Sequence, residues 1–460
     1  PEEISLSSEV QNFVDIFYLV SQKGANRLYA YDENEGIYVP LDDVELSKLA
    51  DEFIISENSD MEWSDKSMSL LMKYAKTKAP YYTMMGRKGR IVFNNGTLRL
   101  KDMKLYKHSP RDMAICKLPV DYDPHAKCPT FERFISQMAN GDANLEKCLY
   151  EICGYVAVGC KKACKLVMLV SSGGSGKSVF LKVLEMLVGK EYTSNLSIAE
   201  INNNNKAFDR VALLNSRLNV VHELDEKETL NSIFSANVKK IVSGEEISCE
   251  HKFGARISFV PNISMIVVAS NHCPTFECMP SESIRRRFLM LNITKTFSFA
   301  EQDPELFSKL KLELAGIFNK AIEYYGKLAN NNFVFSYDKE STEYIDQQIL
   351  ETHPTYQFVM QHIVANPGHK LSNALLRREY IQWARHNDID VTIDQKSLTR
   401  QLANTIQGCH FAFTRGKDNG KRYLKGIDLS TVAAVVYKSI LQMKVHLLPL
   451  NIKVDILMQV

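Results

Sequence analysis

The segment Lys165–Leu187, KLVMLVSSGGSGKSVFLKVLEML, constrains this chain more than any other. Leu166 to Val170 is an unbroken apolar run, the pattern of a strand in a parallel sheet covered on both faces. Six small residues follow, then Lys177, Ser178 and a helical pattern carried by Val179, Leu181, Leu184 and Leu187. Gly173, Gly174 and Gly176, with Ser175 among them, admit backbone conformations that other residues resist. Successive N–H groups can then converge on one anion, and the helix aims its positive end at the same point. Lys177 is placed to reach the β- and γ-phosphates of a nucleotide, and Ser178 to hold Mg²⁺. Ser171 stands where the P-loop pattern puts its first glycine. The segment predicts a strand, a phosphate cradle and a helix, with ATP and Mg²⁺ as cofactors.

Such a site needs an acid to order the metal and polarise water. RLNVVHELDE supplies one: Leu218 to Val221 reads as a strand neighbouring the cradle strand, ending at Glu223, with Asp225 and Glu226 behind it. His222 occupies the place of the first acid of the usual pair, so Glu223 takes the main role and shares the metal with Ser178. Asp225 comes second. SMIVVASN reads as an apolar strand beside the cradle strand, and its terminal Asn271 can hold the water or the γ-phosphate. SESIRRRFLMLNI places Arg285, Arg286 and Arg287 before another apolar strand. Three adjacent guanidiniums cannot all pair within one small site, so a neighbouring subunit's phosphate is the natural partner of at least one.

At 460 residues the chain holds about three domains on the usual size prior. Apolar content of 45% and charged content of 24% are those of a globular protein, and no apolar run approaches a membrane span. The chain opens on Pro1 without a methionine or a signal-peptide pattern, which reads as a fragment or a processed protein. Ten cysteines with no CxxC spacing give neither a disulfide framework nor a zinc site, and they place the chain in a reduced, cytoplasmic compartment. A net charge of +2 decides nothing about partners.

Residues 1–90 read as an α+β domain: VQNFVDIFYLV is helical, and NRLYAYDENEGIYVPL gives two strands around Asp32 to Gly36. Residues 91–153 open on a hairpin turning at Asn94-Asn95-Gly96, then become a helical collar. Phe131, Phe134, Ile135 and Met138 form one helical stripe; Leu145, Leu149, Ile152 and Tyr155 form the next. Residues 154–330 form the nucleotide domain, in which INNNNKAF is a loop. Asn330 to Glu340 reads as a linker into residues 331–430, and residues 431–460 match no pattern.

The order of P-loop, VVHELDE, VKKIVSGEEIS, VVASN and IRRRF resembles that of superfamily-3 helicases, closest to the primase-helicases of poxviruses, satellite phages and staphylococcal mobile elements. FNNGTLRL, LPVDYDPHAKCPTFERF and YEICGYVAVG resemble the domain that precedes the ATPase there. The resemblance runs from about Ile91 to Leu429. It implies an AAA+ ATPase fold, a homo-hexameric ring moving on single-stranded DNA at a replication fork, and a possible primase or polymerase partner. Lys177 and Ser178 match the P-loop lysine and hydroxyl, Glu223 the metal-ordering acid, Asn271 the sensor, and Arg286 and Arg287 the paired arginines. Lys239 matches the lysine of the intervening motif. ISCEHKFGARISF reads as a hairpin; in that family such hairpins line the channel, which gives His251, Lys252 and Phe253 a DNA-gripping role.

After the linker come two helices and a β-hairpin, the pattern of a winged helix-turn-helix. From Leu371 to Ser430 there are ten Lys/Arg against six Asp/Glu. Lys396 and Arg400 share one helix face, and Lys421 and Arg422 sit on the wing, a phosphate footprint. Winged helices also serve as protein-interaction modules, so both uses remain open. For the whole chain, an ATP-driven replicative helicase competes with an ATP-switched initiator that binds origin DNA without processive unwinding. A small-molecule P-loop kinase leaves the winged helix and the arginine triplet without a use.

Overall fold

A computed structural model describes residues 2–22, 27–56, 65–82, 89–205, 207–214, 216–225, 228–250, 256–259, 265–274, 282–409 and 411–430. His251, Lys252, Phe253 and residues 431–460, all singled out above, lie outside the described residues. The chain divides into two compact units, Pro1–Glu226 with Ile233–His272 and Arg286–Ser341, and Lys227–Ser232 with Cys273–Arg285 and Thr342–Val460.

The first unit is mixed α/β around a parallel five-stranded sheet. Its strands are β1 (Leu166–Val170), β2 (Thr193–Ser194), β3 (Leu218–Val221), β4 (Met265–Ser270) and β5 (Phe288–Asn292), in the order β5-β1-β4-β3-β2. All four neighbouring pairs are parallel. Because the strands run the same way, every carboxyl end lies along one edge. β1 and β4 are buried at every position, which is why they read as unbroken apolar runs. One expectation needs correction: the strand carrying Glu223 is not beside β1, since β4 lies between them. Asn271, leaving β4, is the residue next to the glycine loop.

Two helices share the sheet's hydrophobic core, α1 (Pro129–Ala139) and α2 (Ala143–Val158). Both expected stripes are buried. Asp142 caps α2 by accepting from Asn144 N and Leu145 N, each at 2.9 Å. Helix α3 (Lys177–Val188) leaves the glycine loop, and α4 (Leu314–Asn330) packs on α2. That packing depends on Gly154, where an added Cβ would lie 2.1 Å from the Ala321 carbonyl. Tyr150 and Tyr324 stack across the same contact with centroids 4.8 Å apart.

Nearer the N-terminus, Ile37–Pro40, Arg27–Asp32, Val20–Gln22 and Tyr81–Tyr82 form a four-stranded sheet. The hairpin at Asn94-Asn95 forms as expected between Arg90–Phe93 and Gly96–Arg99. INNNNKAF is not wholly a loop, because a helix spans Ile198–Asn202 behind a Ser197–Glu200 capping box. Nor is the segment after Asn330 a free linker. Phe335 and Tyr337 are buried in the first unit's core, and Ser336 donates to both Glu151 carboxylate oxygens, at 2.8 Å from its N–H and 2.6 Å from its hydroxyl. The division between units falls after Ser341 for that reason.

The second unit contains strand β6 (Ile363–Ser372), helix α5 (Asn373–His386), helix α6 (Gln395–Gly408) and strands β7 (Thr414–Asp418) and β8 (Lys421–Leu429). The three strands form an antiparallel sheet in the order β6-β8-β7. Leu371, Leu376, Leu398, Leu402, Leu424 and Ile427 build its core. The two helices and the hairpin follow the expected pattern, and β6 is an addition to it.

Candidate nucleotide site and a basic groove

The loop from β1 to α3 has positive φ at Gly173 (106°), Gly174 (62°) and Gly176 (86°), which is why glycine stands there. At Gly176 a Cβ would also lie 2.8 Å from the Phe134 ring, so that position is closed twice over. Phe297 N donates to Gly174 O at 2.8 Å and pins the loop from the other side. Inside the loop, Ser171 and Ser175 are buried and their hydroxyls lie 2.6 Å apart. Ser171 takes the place of the pattern's first glycine and supplies polar atoms that a glycine would lack.

Lys177 is buried, and burial lowers its pKa. Its Nζ donates to Ser171 O at 3.1 Å, to the Ser171 hydroxyl, and to Asn271 Oδ1 at 3.1 Å. Three acceptors offset the desolvation of the ammonium. The loop, Lys177, Ser178, Glu223 and Asn271 all line one cavity of 960 Å³. Ser178 and Glu223 are exposed to it, and a hydroxyl and a carboxylate are donors that suit Mg²⁺. His222 also lines the cavity, and its Nε2 lies 3.2 Å from Glu185 Oε1.

The far wall was not read from the sequence. Arg133, Phe134 and Gln137 of α1 and Phe297, Gln302 and Pro304 from beyond β5 line it. Glu301 and Asp303 also face the cavity, where carboxylates would repel an anion, yet each is paired. Lys295 lies 2.6 Å from Glu301, and Lys309 lies 2.6 Å from Asp303. The Lys295 hydrogen bond, helped by Ser298, holds Glu301 down at about 2. Lys309 likewise lowers Asp303.

Five sequence-predicted residues fall outside this cavity. Asp225 is exposed and does not line it. Arg286 is exposed, and Arg287 donates to Ser243 Oγ at 3.3 Å. Arg285 is committed elsewhere, in an ion pair with Asp346. Lys239 lies over the Phe234 ring, 5.8 Å from its centroid.

In the second unit, Lys396, Arg400, Lys421 and Arg422 do come together. They line a concavity of 710 Å³ with Arg377 and Arg415, and none of the residues lining it is acidic. Arg415 belongs to the basic cluster that the sequence places on the wing, with Lys417, Lys421, Arg422 and Lys425; Arg377 carries no sequence signal beyond its charge, and only the tertiary fold brings it to the same groove.

Residues 29–140 match the family described as D5 N terminal like, and residues 169–287 match a family of unknown function, DUF5906. An uncharacterized mitochondrial protein of Marchantia polymorpha, ymf21, is 26% identical over 146 residues, covering 29% of this chain and 81% of that protein. Among solved structures, the A-form apo C-terminal region of NrS-1 is 11% identical with a TM-score of 0.49, covering 91% of this chain and 98% of that one. The apo structure of NrS-1 residues 305–718 gives 11% and 0.47, covering 89% and 96%. Among the described residues no helix is long and apolar enough to cross a membrane.

Proposed function

We propose that the chain is an ATP-dependent DNA helicase acting in the replication of a virus, phage or mobile element. The observation that carries this reading is the convergence of Lys177 and Asn271 at the carboxyl ends of adjacent strands. The glycine loop and Glu223 line the same cavity. In open α/β sheets ligands bind at that edge. The match of residues 29–140 to the D5 N terminal like family and the motif order both support a replication protein.

In this reading the loop N–H groups and Lys177 bind the phosphates of ATP, and Ser178 and Glu223 hold Mg²⁺. Held by Ser178 and Glu223, Mg²⁺ would supply positive charge against the phosphates. Glu223 also orients the attacking water, and Asn271 positions Lys177 and the terminal phosphate. Arg286 or Arg287 completes the site of a neighbouring subunit in a homo-hexameric ring. The stem strands Ile247–Glu250 and Arg256–Phe259 pair antiparallel, consistent with a channel hairpin bearing His251, Lys252 and Phe253. The second unit is read as a winged helix that contacts DNA, with a primase or polymerase as partner at the fork.

Strand separation on forked DNA with one labelled strand tests the reading. ATP-dependent release of that strand is expected. Hydrolysis of ATP without release would favour an initiator that uses ATP as an assembly switch, and absence of both would overturn the nucleotide site.

A further inference from the structure

The basic concavity of the second unit is closed on three sides, and that shape selects its ligand. On α6, Lys396, Thr399, Arg400 and Ala403 recur at helical spacing and so share one face. α5 stands against part of that face, where Arg377 Nη1 donates to Thr399 Oγ1 at 2.7 Å, while Lys396 and Arg400 remain exposed toward the concavity. The sheet forms the third wall. Leu424 is buried in the helix-facing core, and Arg422 shares its side of β8 by strand alternation. Arg415 pairs with Leu424 across β7, and cross-strand partners project to the same side. Arg415 and Arg422 therefore point toward the helices, opposite Arg377 and Arg400.

We propose that this groove is a binding site for single-stranded nucleic acid, with Arg377, Arg400, Arg415 and Arg422 on its phosphates. A duplex keeps its bases stacked inside and would need a protruding element to read it. A single strand can lay phosphates and sugars into a concavity, with the exposed, apolar Ala374 against its bases. Asn373 also lines the groove, and its Oδ1 is buried without a hydrogen-bond partner. Base N–H groups could supply that donor; a backbone phosphodiester or an ionised acidic side chain could not. The proposal rests on the reading that the second unit contacts DNA, and it adds which form of DNA and the role of Arg377.

The test uses the full chain without nucleotide and an oligodeoxythymidine carrying 5-iododeoxyuridine. After irradiation, crosslinked peptides are mapped by mass spectrometry. Crosslinks are expected within residues 373–403 and 411–429, competed by unlabelled single strand and not by a duplex of equal length. Arg377→Gln with Arg415→Gln should reduce these crosslinks about tenfold, as losing charge-assisted hydrogen bonds does, while crosslinks elsewhere persist. Equal competition by duplex would overturn the proposal and leave DNA contact by this unit standing. Absence of any crosslink between residues 342 and 430 would remove both. The competition arm uses the unaltered protein, so it decides even where the double variant folds poorly.

Discussion

Lys177 Nζ donates to Asn271 Oδ1 at 3.1 Å, joining two residues 94 positions apart in the chain. The contact exists because β1 and β4 are parallel neighbours paired in register from Leu166↔Ile266 to Val170↔Ser270, so both residues leave the same edge. An ammonium held this way is oriented before any phosphate arrives.

Asn271→Ala should therefore separate binding from turnover. ATP affinity should stay within a few-fold, because the loop and Lys177 remain. Turnover should fall by about 10²–10³, the usual loss when one positioned polar group is removed from a reacting centre. A binding titration beside steady-state hydrolysis distinguishes the two, and unchanged turnover would detach Asn271 from the chemistry.

Ser171→Gly restores the common P-loop residue and deletes a hydroxyl that bonds Lys177 and Ser175. Stability should drop by about 1 kcal/mol, the net value of a typical hydrogen bond. ATP should bind roughly two- to tenfold more tightly, because one competitor for Lys177 has gone. Thermal melting and a binding titration read the two effects. Weaker binding would show that the hydroxyl supports the bound state instead.

Gly154→Ala should cost about 3 kcal/mol or more, since its Cβ would lie 2.1 Å from the Ala321 carbonyl and backbone would have to move. Gly326→Ala on the facing helix α4 meets nothing and is the control. Circular-dichroism melting should separate them clearly; equal melting temperatures would mean that α2 and α4 are not packed this closely.

The elements that were readable share a cause. β1, β3 and β4 are buried along their length, so their unbroken apolar runs announce them. The Asn94-Asn95-Gly96 turn reads from local chemistry alone. β6 could not be read that way: IVANPGHKLS is largely polar, and Pro367-Gly368 interrupts any alternation. The fold accommodates them in a register shift between Asn366 and Lys370. Phe134 was legible as a core residue through its stripe with Phe131, Ile135 and Met138. Its second role, closing over Gly176, depends on where α1 lands, and nothing within α1 encodes that. The adjacency of Glu223 to the cradle strand was misjudged for the same reason, since strand order is a tertiary property.

Lys161 offers a pH test. Burial, with Arg217 adding repulsion, pushes its pKa down from 10.5 to about 8. A lysine lowered in the folded state disfavours folding while it is protonated. The penalty is complete below pH 8 and disappears as pH rises to about 10.5. Lys161→Met should thus be more stable than the unaltered chain at pH 7, by about 1–3 kcal/mol. The difference should vanish by about pH 10.5. Melting both proteins across that range checks it; a constant difference would show that the ammonium is solvated.

Arg286→Ala and Arg287→Ala should each be examined for rescue in trans. Loss of an arginine finger costs roughly 10³–10⁵ in rate. Mixing either variant with Lys177→Ala should restore part of the hydrolysis, because some interfaces then hold an intact arginine and an intact loop. No recovery at any ratio, with subunit exchange verified, would place the arginines outside a shared site. Arg285→Ala should behave differently and lower stability by roughly 1 kcal/mol through its lost ion pair with Asp346.

The nucleotide site is the centre of the account, and steady-state ATP hydrolysis with Mg²⁺ tests it most directly. The unaltered chain should turn over ATP. Lys177→Ala should abolish turnover and weaken ATP binding, since it removes the cation from the cradle. Glu223→Gln should abolish turnover while ATP binding persists. Normal turnover in Glu223→Gln, or undiminished ATP binding in Lys177→Ala, would contradict the assignment.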